Sequence, residues 1–154
     1  MWNPTSPVPG TAQTGLTTPT YTLSADAAPT PQGKQHAVTA LGGTQTGVAA
    51  HSISVPFTVN FVRPAAFKLL GVPNPVTGRI ASIPRNVWNL ITRKGVLPAA
   101  NQPAVPMMVR TIVEIPAGAD SYDPASVRAA LSLHIGILQQ QSAGFGDTAT
   151  SGVV

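Results

Sequence analysis

The chain has 154 residues, enough for one domain, and carries nine basic and five acidic residues for a net charge of +4. Only 9% of residues are charged, against roughly 25% in ordinary soluble proteins, while 43% are hydrophobic; either an assembly hides much of the surface or Thr, Ser and Gln dress it. The absence of cysteine excludes a disulfide framework and thiolate metal sites. No apolar run reaches the ~18 residues of a membrane span, and Met1-Trp2-Asn3-Pro4 lacks the basic and apolar stretches of a secretory signal, so a soluble protein made in a cytoplasm is expected.

In chain order, residues 1–20 are rich in Pro, Thr and Gly without periodicity and read as an extended or flexible arm. A single domain is expected from 21 to 154, with sheet over 21–116 and helices over 124–150. Tyr21–Ala25 is a first strand, 28–33 a Pro/Gly turn, and His36–Leu41 a return strand that Gly42-Gly43 ends. Ser52–Val62 sets Ile53, Val55, Phe57, Val59 and Phe61 against Ser52, Ser54, Pro56, Thr58 and Asn60. This is the period-two pattern of a half-buried strand, with Pro56 marking an edge position or a bulge. Ala66–Val72 is read as a strand and 73–78 as a loop. Asn86–Leu97 is a strand, 98–106 a loop, and Met107–Ile115 the last strand, with Val109, Thr111, Val113 and Ile115 on one side and Met108, Arg110, Ile112 and Glu114 on the other.

Asp123-Pro124 is an N-cap followed by proline at the first helical position. The helix it opens runs to about Gln140. Val127, Leu131, Ile135 and Leu138 form one stripe on it, which Ala130, Leu133 and Ile137 widen to an apolar arc of roughly 200°. One small sheet cannot cover so wide an arc, so a second subunit is expected over Val127, Leu131, His134, Ile135 and Leu138; the competing reading is a core helix under a long loop. Strands first and helices last make an α+β plan with an antiparallel sheet.

Between Asp26 and Glu114 there is no acidic residue, while Lys34, Arg63, Lys68, Arg79, Arg85, Arg93, Lys94 and Arg110 all lie there. A one-signed segment attracts polyanions, nucleic acid first. Arg85, Arg93, Lys94 and Arg110 fall on or beside two predicted strands, interleaved with Asn86, Asn89 and Thr92. Basic side chains hold phosphate, and amides and hydroxyls can read bases exposed in RNA loops. Enzyme signals are missing: no phosphate-binding glycine loop, no His-Glu-x-x-His and no Gly-x-Ser-x-Gly occurs. His36, His51 and His134 have no ligand spacing, and Asp120 and Asp123 read as turn and cap residues. No cofactor or metal and no enzymatic activity are expected.

The run Trp88-Asn89-Leu90-Ile91-Thr92-Arg93-Lys94-Gly95-Val96-Leu97-Pro98 is followed by Met107-Met108-Val109-Arg110-Thr111-Ile112-Val113-Glu114-Ile115-Pro116. The helix Val127–Gly136 comes next, then Gln140–Asp147 and the closing Ser151-Gly152-Val153-Val154. In order and spacing these resemble the coat proteins of single-stranded RNA bacteriophages of the levivirus group, well over about 80–154 and in layout over 21–62. The resemblance implies an N-terminal hairpin, a five-stranded antiparallel sheet and two C-terminal helices. It implies an interlocked homodimer with a ten-stranded sheet, tiling an icosahedral T=3 shell around single-stranded RNA. In several family members the sheet also binds an RNA hairpin and represses translation. By position it implies RNA-facing Thr92 and Lys94 on the penultimate strand and Met108 and Arg110 on the last, with Arg85, Asn89 and Arg93 beside them. Alternation puts Trp88 and Leu90 on the side of Thr92 and Lys94; a bulge would bring Asn89 and Arg93 round instead. A dimeric RNA-binding regulator without a shell is the alternative reading.

Overall fold

The computed structural model describes residues 1–154. Six strands form one antiparallel sheet in sequential order: β1 (Val8–Pro9), β2 (Thr17–Asp26), β3 (Gly33–Thr44), β4 (Phe57–Val62), β5 (Arg85–Val96) and β6 (Val105–Pro116). Three helices follow: α1 (Ala119–Tyr122), α2 (Pro124–Gln140) and α3 (Ser142–Ser151). The α+β plan and the two longer C-terminal helices match the sequence reading. The strand count does not: there are six strands rather than five. The β2–β3 hairpin is also part of the same sheet, because Gly33–Ala37 of β3 pairs with Thr58–Val62 of β4.

Three further readings are corrected. Ala66–Val72 forms no strand; the side chain of Asn86 instead takes up its backbone, accepting from Lys68 N–H at 2.8 Å and donating to Lys68 C=O at 3.0 Å. The period-two run from Ser52 becomes a strand only at Phe57, because Ser52 closes a turn with Val55: its N–H reaches Val55 C=O at 3.0 Å and its Oγ accepts from Val55 N–H at 3.0 Å. Pro56 therefore precedes a central strand and marks neither an edge nor a bulge. Its carbonyl accepts from Gly95 N–H at 2.6 Å, and a Cβ at Gly95 would meet Pro56 Cδ at 2.9 Å, so only glycine allows this approach.

The first residues are folded onto the sheet. Trp2 stacks on Phe61 with ring centroids 4.9 Å apart, and Lys34 Nζ donates to the Trp2 carbonyl at 3.3 Å. Farther along, Gln13 Nε2 donates to Ser142 O at 2.8 Å and to Ser142 Oγ at 2.7 Å, and Thr14 donates to Asp147 at 3.0 Å. The N-terminal segment thus clamps α3 to its own chain. The cap read from sequence is present, with the Asp123 carboxylate accepting from Ser126 N–H at 3.1 Å.

What the chain lacks is a closed core. Only nine of 154 residues are buried, and among apolar ones only Ala37, Val38 and Ala117. A self-sufficient domain of this length hides well over half of its extended-chain surface. No residue of α2 is buried, and Leu133, Ile135, Ile137 and Leu138 are 66%, 60%, 51% and 42% exposed.

Candidate nucleic-acid interface

Directly opposed residues of antiparallel strands point to the same side, and neighbours along a strand point to opposite sides. β5 pairs with β6 over its full length in unbroken register, so no bulge re-aims any of its side chains. One cross-strand row therefore holds Met108, Arg93, Thr58, Ala37 and Ser24; the next holds Arg110, Ile91, Asn60, Gln35 and Asp26; a third holds Ile112, Asn89 and Val62. These rows share one face. The other face carries Val109, Thr92, Val59 and His36 in one row and Met107, Lys94 and Phe57 in another.

The two faces differ in cover. The N-terminal segment lies over the second: Trp2, Pro4, Val8 and Gln13 enclose a cleft of about 480 Å³ with Tyr21, Leu23, Val38, Phe57, Val59, Thr92 and Val109. Phe67 packs on Trp88 of the same face at 5.9 Å, so Trp88 serves packing there. The first face carries no such arm and presents the polar side chains. We call the two the arm face and the open face.

The residues singled out from the sequence divide between them. Arg85, Asn89, Arg93, Met108 and Arg110 stand on the open face. Thr92 and Lys94 stand on the arm face, so the expected grouping of Thr92, Lys94 and Arg110 on one side does not hold. The reason is register: Thr92 lies opposite Val109, while Arg110 lies opposite Ile91. Lys94 Nζ donates to Ala49 C=O at 2.7 Å and sits 4.8 Å from the Phe57 ring centroid. Burial holds the Lys94 ammonium below the usual lysine range.

On the open face Arg85 meets Glu114 at 3.3 Å, an exposed ion pair that contributes little. Arg93 and Arg110 have no carboxylate partner within 4.0 Å. Asp26, at the far margin, is held below the usual carboxylate range by the Gln35 side chain and the Ala27 N–H. Between these acids, Asn60 is buried with Oδ1 lacking a hydrogen-bond partner, and Gln35 Oε1 and Arg93 Nε are equally unpartnered. Gln35 lies directly opposite Asn60, and Arg93 directly opposite the buried Thr58. The three unpartnered atoms are buried, so what the face offers nucleic acid at its surface is the guanidinium groups of Arg93 and Arg110 for phosphate and the part-exposed Asn89 amide for base edges. Thr58 and Asn60, the polar side of the β4 alternation, lie in these rows and are buried in them.

The residues read as an interface collect elsewhere. Val127, Leu131 and His134 line a cleft of about 420 Å³ against Thr111, Val113 and Ile115 of β6, while Ile135 and Leu138 are exposed. β6 is the last strand of the sheet, and Val105, Met107, Val109 and Ile112 on it are about half exposed, at 52%, 48%, 46% and 57%.

The whole chain is similar to a solved virus-like particle of bacteriophage ESE020, with 58% identity, a TM-score of 0.97 and 100% of both chains covered. The match extends over residues 1–20 and over the connection from β4 to β5. A solved virus-like particle of Beihai levi-like virus 32 is similar in fold alone: 20% identity, a TM-score of 0.50, 87% of this chain and 88% of that one. Neither a protein-family model nor a curated protein matches.

Proposed function

The chain belongs to the coat proteins of single-stranded RNA, levi-like bacteriophages, and from that membership we propose that it works as a homodimer assembling into an icosahedral shell around single-stranded RNA. Its role is that of a structural capsid protein and virion component. The single observation behind the shell is the full-length likeness at 58% identity to a chain solved as a virus-like particle.

The dimer is supported by what one chain leaves uncovered. An edge strand as long and apolar as β6 is a template for pairing with another chain. The helix beside it has no buried residue. Joining β6 to β6 across a two-fold axis makes one sheet from two chains. It also brings Leu131, Ile135 and Leu138 against the partner in an interface of the obligate kind, above ~2,000 Å². The T=3 arrangement is part of the same proposal.

The RNA surface we assign is the open face, with Arg93 and Arg110 holding phosphate and Asn89 offered to bases. Arg85, Met108 and Ile91 flank them. Its support is cover and charge: the arm face is filled by aromatic packing and its Lys94 is bonded to Ala49 C=O, whereas Arg93 and Arg110 stand on the open face without a carboxylate partner. An RNA hairpin bound there would give the protein a repressor role in translation within the host cytoplasm. The test is expression of the protein alone in bacteria, with electron microscopy and nuclease treatment of the product. Closed particles containing protected RNA are expected; small oligomers in the presence of RNA would refute the shell.

A further inference from the structure

We propose that the tip of the connection between β4 and β5 is a second contact between copies of this chain, docking beside α1 of a neighbouring copy. This contact rests on the capsid reading and is separate from the dimer surface of β6 and α2.

The connection runs from Arg63 to Pro84 without a strand or helix. Structureless connections longer than about 12–15 residues are uncommon in compact domains and are usually either functional or disordered linkers. This one is held in shape. Asn86 grips the Lys68 backbone at its base. At the tip Asn74 N–H donates to Arg79 C=O at 2.9 Å, Gly78 N–H to Asn74 C=O at 2.8 Å, and Asn74 Oδ1 accepts from Val76 and Thr77 N–H at 2.8 and 3.1 Å. On this fastened projection Val72 and Val76 are 93% and 91% exposed. A closed turn that displays bare aliphatic side chains presents a contact surface.

A receiver of matching chemistry lies on the same chain. A cleft of about 780 Å³ opens between the base of the connection and α1, lined by Leu69, Leu70, Asp120 and Tyr122 among others, and Tyr122 is 95% exposed. The tip is apolar and carries Arg79; the cleft has an apolar lining of Phe67, Leu69, Leu70 and Tyr122 and carries Asp120 on its α1 side and Lys68 on its connection side. The connection contains no acid of its own. Tip and cleft are different surfaces, so their contact is head-to-tail. Head-to-tail contacts close into rings, which a two-fold dimer contact alone cannot do. A shell needs both kinds, which commits the occupant of the cleft to a second copy of this chain.

The experiment uses full-length protein carrying Val76→Asp, Tyr122→Ser, Arg79→Glu, or Arg79→Glu with Asp120→Arg. Circular dichroism and size-exclusion chromatography of disassembled protein report fold and dimer, and sedimentation reports particles. The first three variants are expected to fold and to bind RNA as wild type does, while particle yield falls about tenfold or more. The charge swap restores the yield. Should Val76→Asp disturb folding, Val76→Ser reads the same contact with a smaller change. Wild-type particle yield from Val76→Asp or Val76→Ser overturns the contact alone. A wild-type chain that forms no particles sinks the capsid reading and the contact with it.

Discussion

Removing Arg93 or Arg110 should change how RNA binding responds to salt, and removing Lys94 should not. The two arginines stand on the open face with no carboxylate partner. The lysine stands on the opposite face, its ammonium bonded to Ala49 C=O and set over Phe57. Each phosphate contact on a single strand contributes about 0.7 to the slope of log K against log salt. A fourfold rise, from about 50 to about 200 mM, therefore weakens binding about 2.6-fold per contact and about 7-fold for two. Arg93→Ala and Arg110→Ala should each shallow the slope by about 0.7, and the double variant by about 1.4. Lys94→Ala should leave the slope alone but lose a hydrogen bond and a cation–π contact, together about 1–2 kcal/mol. For a chain of this length that lowers Tm by roughly 2–8 °C. The assay is fluorescence anisotropy of a labelled unstructured single-stranded RNA against disassembled protein over a salt series, with Tm measured at one protein concentration. A shallower slope for Lys94→Ala, with Arg93→Ala and Arg110→Ala unchanged, would refute the face assignment.

Ile135→Asp discriminates a monomer from a dimer, because the side chain is 60% exposed in a single chain. If it packs against a partner, the carboxylate should shift the protein to monomers or aggregates in light scattering; unchanged dimers would show that this flank of α2 is free. Trp2→Ala removes the stack on Phe61; a half-buried aromatic truncated there should cost about 1.5–3 kcal/mol, read as a drop in Tm, and no drop would mean that this stack adds nothing to stability. Asp123, held below the usual carboxylate range by Ser126, should stabilise α2 fully above the ordinary Asp pKa of about 3.9. That contribution fades as pH falls through the lowered folded-state value, because protonation removes the charged cap. Thermal melts at pH 7 and near pH 3 should therefore show Asp123→Ala closest to wild type at the acid end, and a gap that persists undiminished would contradict the assignment.

Local chemistry by itself determines much of this protein. Asp123-Pro124 starts α2 because a carboxylate and a proline both suit the exposed N–H groups of a first turn. Alternation places β6 within two residues of its observed ends, since a period of two follows from the pleat itself, and the strand read over Asn86–Leu97 is one residue out of step with β5. The wide apolar arc of α2 and the acid-free middle of the chain are legible in the same way. Within one strand, alternation also pairs Thr92 with Lys94 and Met108 with Arg110 correctly. What no single strand carries is the register between strands. A shift of one residue turns every side chain to the other face, and only the pairing of Ile91 with Arg110 puts that arginine opposite in facing to Thr92 and Lys94. The N-terminal segment is illegible for a related reason. Its contacts, Trp2 on Phe61 and Gln13 on Ser142, join residues far apart in sequence, so nothing in its own composition distinguishes a clamp from a free arm. Ala66–Val72 has the residues of a strand but pairs with none, and at Lys68 its backbone groups are met by one distant side chain, Asn86, which no local pattern announces.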